Sequence, residues 1–485
     1  MKRLVSTVLL CALAVAPGAA AELPAPVAEV MRAASLPSAS LSILVMPAAG
    51  GAPLLALRPD VPRNPASTMK LVTTFAGLEL LGPGFVWNTD VYLPPGVEIG
   101  PGGRLPGDLY LRGGGDPFLV TESLWSLFSR LRREGLERIA GDVLIDRAYF
   151  QSPAGDPGAF DGKPWRAYNV GPDAALINFR ASRIRLVSVP GRSRPRIATD
   201  PPLEGLTVTN EVRSVAGRCR GRVRLLLEVP EPDTPRIRLR GALPRRCRAY
   251  GLVRVIASRD AYARGVIRPL WSELGGKLDG EVRPGTVPEG ARRLLRHRSE
   301  TLSRLIWGMN KFSNNVMTRQ LFLTLAAEHG DGTEAHARTV IREWLARRGI
   351  PTKGLVIENG AGLSRRARIS ATTLGALLRR AYEGPLRAEF VASLPLAAVD
   401  GTMRARLEGP RTAGKAHLKT GLLDGVRALA GYVHLRYLGD LVVVVLQNAP
   451  GVQNGAGTRV QDALLEWLFQ RDRLAGRHRS IDARG

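Results

Sequence analysis

Asn64-Pro-Ala-Ser-Thr-Met-Lys-Leu-Val-Thr-Thr-Phe-Ala-Gly-Leu-Glu-Leu-Leu81 is the stretch on which the fold turns. Asn64 suits a helix cap, and Pro65 suits a first turn, where a backbone N–H has no intrahelical partner to lose. The residues that follow are apolar enough for a buried helix over 66–81, ended by Gly82-Pro83-Gly84. Ser67 then lies in the first turn, where free N–H groups and the positive end of the dipole favour developing negative charge. Lys70 follows three residues later on the same face. A serine hydroxyl is a poor nucleophile until a base takes its proton, and a desolvated lysine is such a base.

Working outward, Ser40 to Met46 and Pro53 to Leu57 read as a hairpin, with a short amphipathic helix over 22–36 before it. From about 86 the texture changes to short strands and Pro/Gly loops, with helices expected over Glu122 to Glu134 and Asp260 to Leu274. Gly113-Gly-Gly-Asp-Pro117 has no Gly-Lys-Ser/Thr after it and reads as a tight turn, not a phosphate loop. Past about 290 helices return: Thr301 to Met309, a second opened by Lys311 to Met317, Glu334 to Arg348, and Ser370 to Tyr382. The strands His417 to Thr420, Ala428 to Arg436 and Leu441 to Gln447 follow, then a helix over Val460 to Leu468. The tail after Arg471 is expected to be a loose basic terminus.

Lys2-Arg3, the apolar run Leu4 to Ala16 and Ala19-x-Ala21 have the form of a secretory signal, with Glu22 first in the mature chain. Cys11 follows Leu10 within that run, which argues against a lipoprotein anchor. Cys219 and Cys247 remain, and in an oxidising compartment such an isolated pair is expected to form a disulfide. The net charge of +26 predicts attraction to anionic polymers, membrane surfaces or acidic substrates. No recognised nucleic-acid module appears, so nucleic acid is not an expected partner. The six histidines include no His-Glu-x-x-His, and neither a metal nor a cofactor is expected.

Two distant stretches complete the chemistry. Lys419-Thr420-Gly421 ends a short strand: a cation and a hydroxyl suit a terminal carboxylate, and Gly421 allows close backbone approach. Ser313-Asn-Asn315 lies between two helices, Ser313 placed to relay a proton and Asn315 to hold an amide. Ser-x-x-Lys is the spacing of penicillin-recognising serine enzymes, and the three motifs occur in that superfamily's order. The chain resembles the penicillin-binding protein and serine β-lactamase superfamily. Within it the class C low-molecular-mass D-alanyl-D-alanine carboxypeptidase/endopeptidase type (penicillin-binding protein 4-like) is most similar, because that family inserts extra domains between the first two motifs. Tyr110-Leu-Arg-Gly-Gly-Gly-Asp-Pro117, Glu358-Asn-Gly-Ala-Gly-Leu-Ser364 and Asp400-Gly-Thr-Met-Arg404 look similar too.

The resemblance implies an α+β fold, a β-lactamase/transpeptidase-like domain with an antiparallel sheet between helical clusters. Its parts would be 22–85 and 291–485, after a signal at 1–21 and around two smaller strand-rich domains in 86–290. It implies an exported, periplasmic serine peptidase acting on peptidoglycan stem peptides and acylated by β-lactams. Ser67 would attack the penultimate D-alanine carbonyl, Lys70 would take its proton, and Ser313, coupled to Lys419, would return one to the leaving D-alanine. Asn315 would orient the peptide, Lys419 and Thr420 would bind its carboxylate, and the backbone N–H groups of Ser67 and Leu422 would hold the oxyanion. Leu422 departs from the small hydroxyl residue commoner there. A β-lactamase or esterase of the same superfamily is the alternative enzyme, although no Glu-x-x-x-Asn deacylation element stands out. An inactive wall-binding protein is the alternative outside catalysis.

Overall fold

The computed structural model describes residues 22–151, 155–219 and 223–482; the signal segment expected at 1–21 lies outside them. The strand Asp440–Asn448 is the centre of one five-stranded antiparallel sheet. The strand order is Ala416–Leu423, Val426–His434, Asp440–Asn448, Leu41–Pro47 and Leu55–Leu57. Leu41 pairs with Gln447, so the first and last thirds of the chain close one sheet. The run Leu441 to Leu446 is apolar at every position because both faces are covered. Val442, Val444 and Leu446 pack with Phe75, Trp344 and Leu377. Leu441, Val443 and Val445 pack with Val27, Met31 and Leu464 on the other side. Successive side chains point to opposite faces, so two cores need an unbroken apolar strand.

The stretch around Ser67 is less regular than its composition suggests. Ala66–Met69 forms a 3-10 turn, and the α-helix proper runs Lys70–Leu80. Asn64 does not cap a first α-turn; its Oδ1 accepts from the Ala66 N–H at 2.9 Å, and Ala66 takes a left-handed φ of 45°. The tight turn seats Ser67 ahead of a wholly buried helix start.

The intervening segment builds a second five-stranded sheet, ordered Val282–Pro284, Val143–Asp146, Leu109–Gly113, Asn88–Leu93 and Arg292–Arg298. Two three-stranded sheets lie within 182–254, and a further one joins Lys277–Leu278, Arg138–Ile139 and Arg104–Leu105. Arg292–Arg298 pairs antiparallel with Asn88–Leu93, although the boundary expected near 290 would give it to the other sheet's domain. We propose that the insertion runs from 88 to 298, with an inner unit of about 182–254. Cys219 and Cys247 are bonded within that inner unit, their Cα atoms 4.8 Å apart.

The C-terminal segment corrects an expectation. Instead of ending in a loose tail after Arg471, the last helix spans Ala456–Asp482. The buried carboxylate of Asp472 accepts from the N–H groups of Arg436, Tyr437 and Leu438 at 3.1, 2.7 and 2.8 Å. A charge-assisted set of three bonds holds the helix to the preceding turn.

Candidate active site

Lys70 leaves the first residue of its helix with no exposed surface. Its Nζ donates to Ser67 Oγ at 3.1 Å, Asn315 Oδ1 at 2.7 Å and the Ala361 carbonyl at 2.6 Å. Three acceptors satisfy an ammonium's three donors, yet burial, reinforced by the Lys419 ammonium, holds this amine well below the usual lysine range. A neutral amine beside a hydroxyl is the arrangement general-base activation needs. Gly362 permits the packing: at φ +75°, a Cβ there would lie 1.8 Å from the Ala66 carbonyl oxygen.

Ser313 and Asn315 belong to the junction between helices Leu302–Lys311 and Asn315–Ala327. The residue between them does the capping, since Asn314 Oδ1 accepts from the Met317 N–H at 3.2 Å. Ser313 and Asn315 are thereby left for the cleft. Ser313 has a left-handed φ of 58°, and its Oγ accepts from Lys419 Nζ at 2.9 Å. The two-residue spacing thus gives each lysine a partner on one short loop. Asn315 Nδ2 also donates to the Tyr168 carbonyl at 3.1 Å, which ties the insertion to the site.

Lys419, also fully buried, donates to the Thr420 carbonyl at 2.8 Å, and burial lowers its pKa to about 7. Thr420 Oγ1 donates to Thr402 Oγ1 at 2.8 Å. Gly421 has a more local reason than an approaching ligand: a Cβ there would lie 2.5 Å from the Pro65 carbonyl oxygen. Strand 416–423 is the sheet's outer strand. Leu418 N–H donates outward to Pro395 O at 2.8 Å, so by the two-residue period the N–H groups of Thr420 and Leu422 face the same edge. The Leu422 side chain is exposed.

Three participants were not singled out from the sequence: the Ala361 carbonyl, Tyr168 and Thr402. Ala361 sits in the glycine-flanked stretch 358–364, and Thr402 in Asp400-Gly-Thr-Met-Arg404, so both motifs were visible without their contacts. A main-chain acceptor carries no side-chain signature, and nothing around Tyr168 marks it. Beneath Thr402, buried Lys311 donates to Asp400 Oδ2 at 2.6 Å, and Asp400 Oδ1 accepts from the Leu396 N–H at 2.8 Å. This pair braces the loop against the end of helix 302–311.

Residues 23–471 match the D-Ala-D-Ala carboxypeptidase 3 (S13) family. The chain is 30% identical over 424 residues to a D-alanyl-D-alanine carboxypeptidase of Actinomadura sp. (strain R39), spanning 82% of this chain and 76% of that protein. Penicillin binding protein 4 of Haemophilus influenzae shares the fold with a TM-score of 0.77 at 23% identity, covering 91% of this chain and 99% of that one. That protein is also known complexed with a β-lactam. A predatory peptidoglycan endopeptidase of Bdellovibrio bacteriovorus matches with a TM-score of 0.51 at 15% identity, over 89% of this chain and 92% of that one.

Proposed function

The chain belongs to the D-Ala-D-Ala carboxypeptidase 3 (S13) family, and we propose that Ser67, activated by Lys70, carries out its reaction as a serine-type hydrolase. The observation that carries the assignment is the buried amine 3.1 Å from the hydroxyl, held in its low-pKa state. Ser67 Oγ attacks the carbonyl of the penultimate D-alanine as its proton passes to Lys70. The C–N bond then breaks, and the proton held by Lys70 passes through Ser313, whose hydroxyl Lys419 polarises, to the leaving D-alanine amine, which frees Lys70 as a base again. Water, deprotonated by the same base, cleaves the ester and regenerates Ser67. Lys419 and Thr420 face the substrate carboxylate, Asn315 its amide, and the N–H groups of Ser67 and Leu422 the developing oxyanion, where each such donor contributes about a hundredfold or more in rate.

The substrate in this reading is the stem peptide of peptidoglycan, met outside the cytoplasm after export, in the periplasm. β-Lactams acylate Ser67 because their strained amide presents the same carbonyl and carboxylate. The basic surface favours retention on anionic wall material. A fluorescent penicillin labels the wild-type protein covalently, and Ser67→Ala takes up no label; equal labelling of the two would remove Ser67 as nucleophile. D-Alanine release from a pentapeptide, followed in parallel, separates a carboxypeptidase from a β-lactamase, which would instead turn over the antibiotic, and from an inactive wall binder.

A further inference from the structure

A cavity of about 690 Å³ lies between the insertion and the helices that follow the cleft, lined among others by Arg180, Arg259, Arg319, Asp173 and Glu334. The wall balances in number, Arg180, Arg259 and Arg319 against Asp156, Asp173 and Glu334, but the charges do not pair one to one. Arg147 and Arg259 lie within 4.0 Å of both Asp173 and Asp260, a two-by-two set. Glu334 lies 3.9 Å from Arg319 and 3.8 Å from Arg338, one carboxylate between two cations. Asp156, also on the wall, turns its Oδ1 to the Gly158 N–H. Arg180 forms no ion pair within 4.0 Å among the described residues, although Asp173 and Asp260 are near enough to attract it. Its Nε and that of Arg319 are both buried without a hydrogen-bond partner. Burial lowers both guanidinium pKa values.

The backbone bringing Arg180 there is strained. Asn178, Phe179 and Arg180 have φ values of 46°, 57° and 48°, three consecutive non-glycine residues in the left-handed region. L-residues visit that region singly, and a bulky phenylalanine seldom does. The surroundings hold the run in place. Asn178 Oδ1 accepts from the Thr121 N–H at 2.8 Å, the Asn178 N–H donates to Leu119 O at 3.0 Å, and Phe179 packs edge-on against Phe118. Strain of this kind persists at ligand clamps. Across the cavity, Thr333, Glu334 and Ala335 open the helix Glu334–Arg347 toward it, which adds first-turn N–H groups and a positive dipole end.

We propose that this cavity is an oxyanion site, taking a carboxylate or phosphate group between Arg180 and Arg319. Arg319 stands one helical turn beyond Asn315, and its Nη1 donates to Val170 O at 3.2 Å, two residues from the Tyr168 carbonyl that holds Asn315. An anion at this place draws the 168–180 segment onto the helix bearing Asn315 and so secures the insertion beside the cleft. The site does not contain Ser67, Lys70 or Lys419.

The test is binding of inorganic phosphate and of glutarate to the full-length mature protein, followed by calorimetry and by thermal shift at constant ionic strength set with chloride. The expected result is saturable binding of at least one anion by the wild type, weakened about tenfold or more in Arg180→Gln and Arg319→Gln. Arg180→Lys should retain an intermediate affinity, and the surface variant Arg192→Gln should match the wild type. Phosphate preferred over glutarate names a phosphoryl group as the natural occupant, and the reverse names a carboxylate. Absence of saturable binding by the wild type, or equal affinity in Arg180→Gln and the wild type, overturns the proposal. Should Arg180→Gln fold poorly, Arg319→Gln and Arg180→Lys decide alone. Penicillin acylation of the same variants reports on Ser67 separately, so failure here and failure of the acylation chemistry are told apart.

Discussion

Replacing Asn315 by Asp is the sharpest probe of how the Lys70 pKa is held low. The exchange is isosteric and puts a carboxylate oxygen where Lys70 Nζ now finds the amide oxygen at 2.7 Å. Opposite unit charges that close attract by about 6 kcal/mol at an effective dielectric constant of roughly 20. Desolvating the new carboxylate, and setting it against the Tyr168 carbonyl in place of a donor, offsets much of that. A rise of about two pH units in the Lys70 pKa remains, within the usual range for a carboxylate neighbour. In the wild type, burial and Lys419 hold this pKa low. The variant should therefore move the acid limb of acylation to higher pH. At any pH below the wild-type limb the rate should fall by about a hundredfold, and it should recover as pH rises. The assay is the second-order rate of labelling by a fluorescent penicillin over roughly pH 5 to 10, with near-UV dichroism to verify packing. Asn315→Leu, which removes the acceptor without adding charge, should lose rate without an upward shift of the limb. An Asn315→Asp limb that coincides with the wild-type limb would refute Lys70 as the base.

Other perturbations test other parts of the molecule. Lys419 has a pKa of about 7 in the folded protein against 10.5 in the unfolded chain. Between those values the unfolded state binds the extra proton, so stability rises with pH, by about 5 kcal/mol over the whole window. Lys419→Met should lack that rise, and denaturant melts of both proteins at pH values from about 7 to 9 measure the difference. Gly362→Ala should lose penicillin labelling and about 2–4 kcal/mol of stability, because its Cβ would stand 1.8 Å from the Ala66 carbonyl oxygen at a φ of +75°; a variant that labels normally would contradict the close approach. Opening the Cys219–Cys247 bond, which spans 28 residues, by paired serine substitution should cost about 3.5 kcal/mol. Hydrogen exchange should increase within 182–254 while labelling at Ser67 continues, and a fall in labelling would show coupling to the cleft.

The residue types at 67, 70, 313, 315, 419, 420 and 421, with their order and spacing, were legible in the sequence, because each chemical role demands a particular side chain. So was most of the sheet, whose central strand must be apolar at every position to serve two cores. The irregular parts were not. Arg292–Arg298 reads Arg-Arg-Leu-Leu-Arg-His-Arg and resembles a surface segment; only its pairing with Asn88–Leu93 makes it a strand of the insertion. Asp472 looked like one charge in a basic tail until three N–H groups of a distant turn converged on it. The sequence by itself determined which groups are available for chemistry and roughly which helices and strands carry them. Only the tertiary structure decided that Ala361 offers its carbonyl to Lys70, that Tyr168 anchors Asn315, and that Arg180 comes to the cavity wall with no ion pair among the described residues. Main-chain acceptors carry no side-chain identity, and burial and pairing between residues hundreds of positions apart arise only when the chain closes on itself.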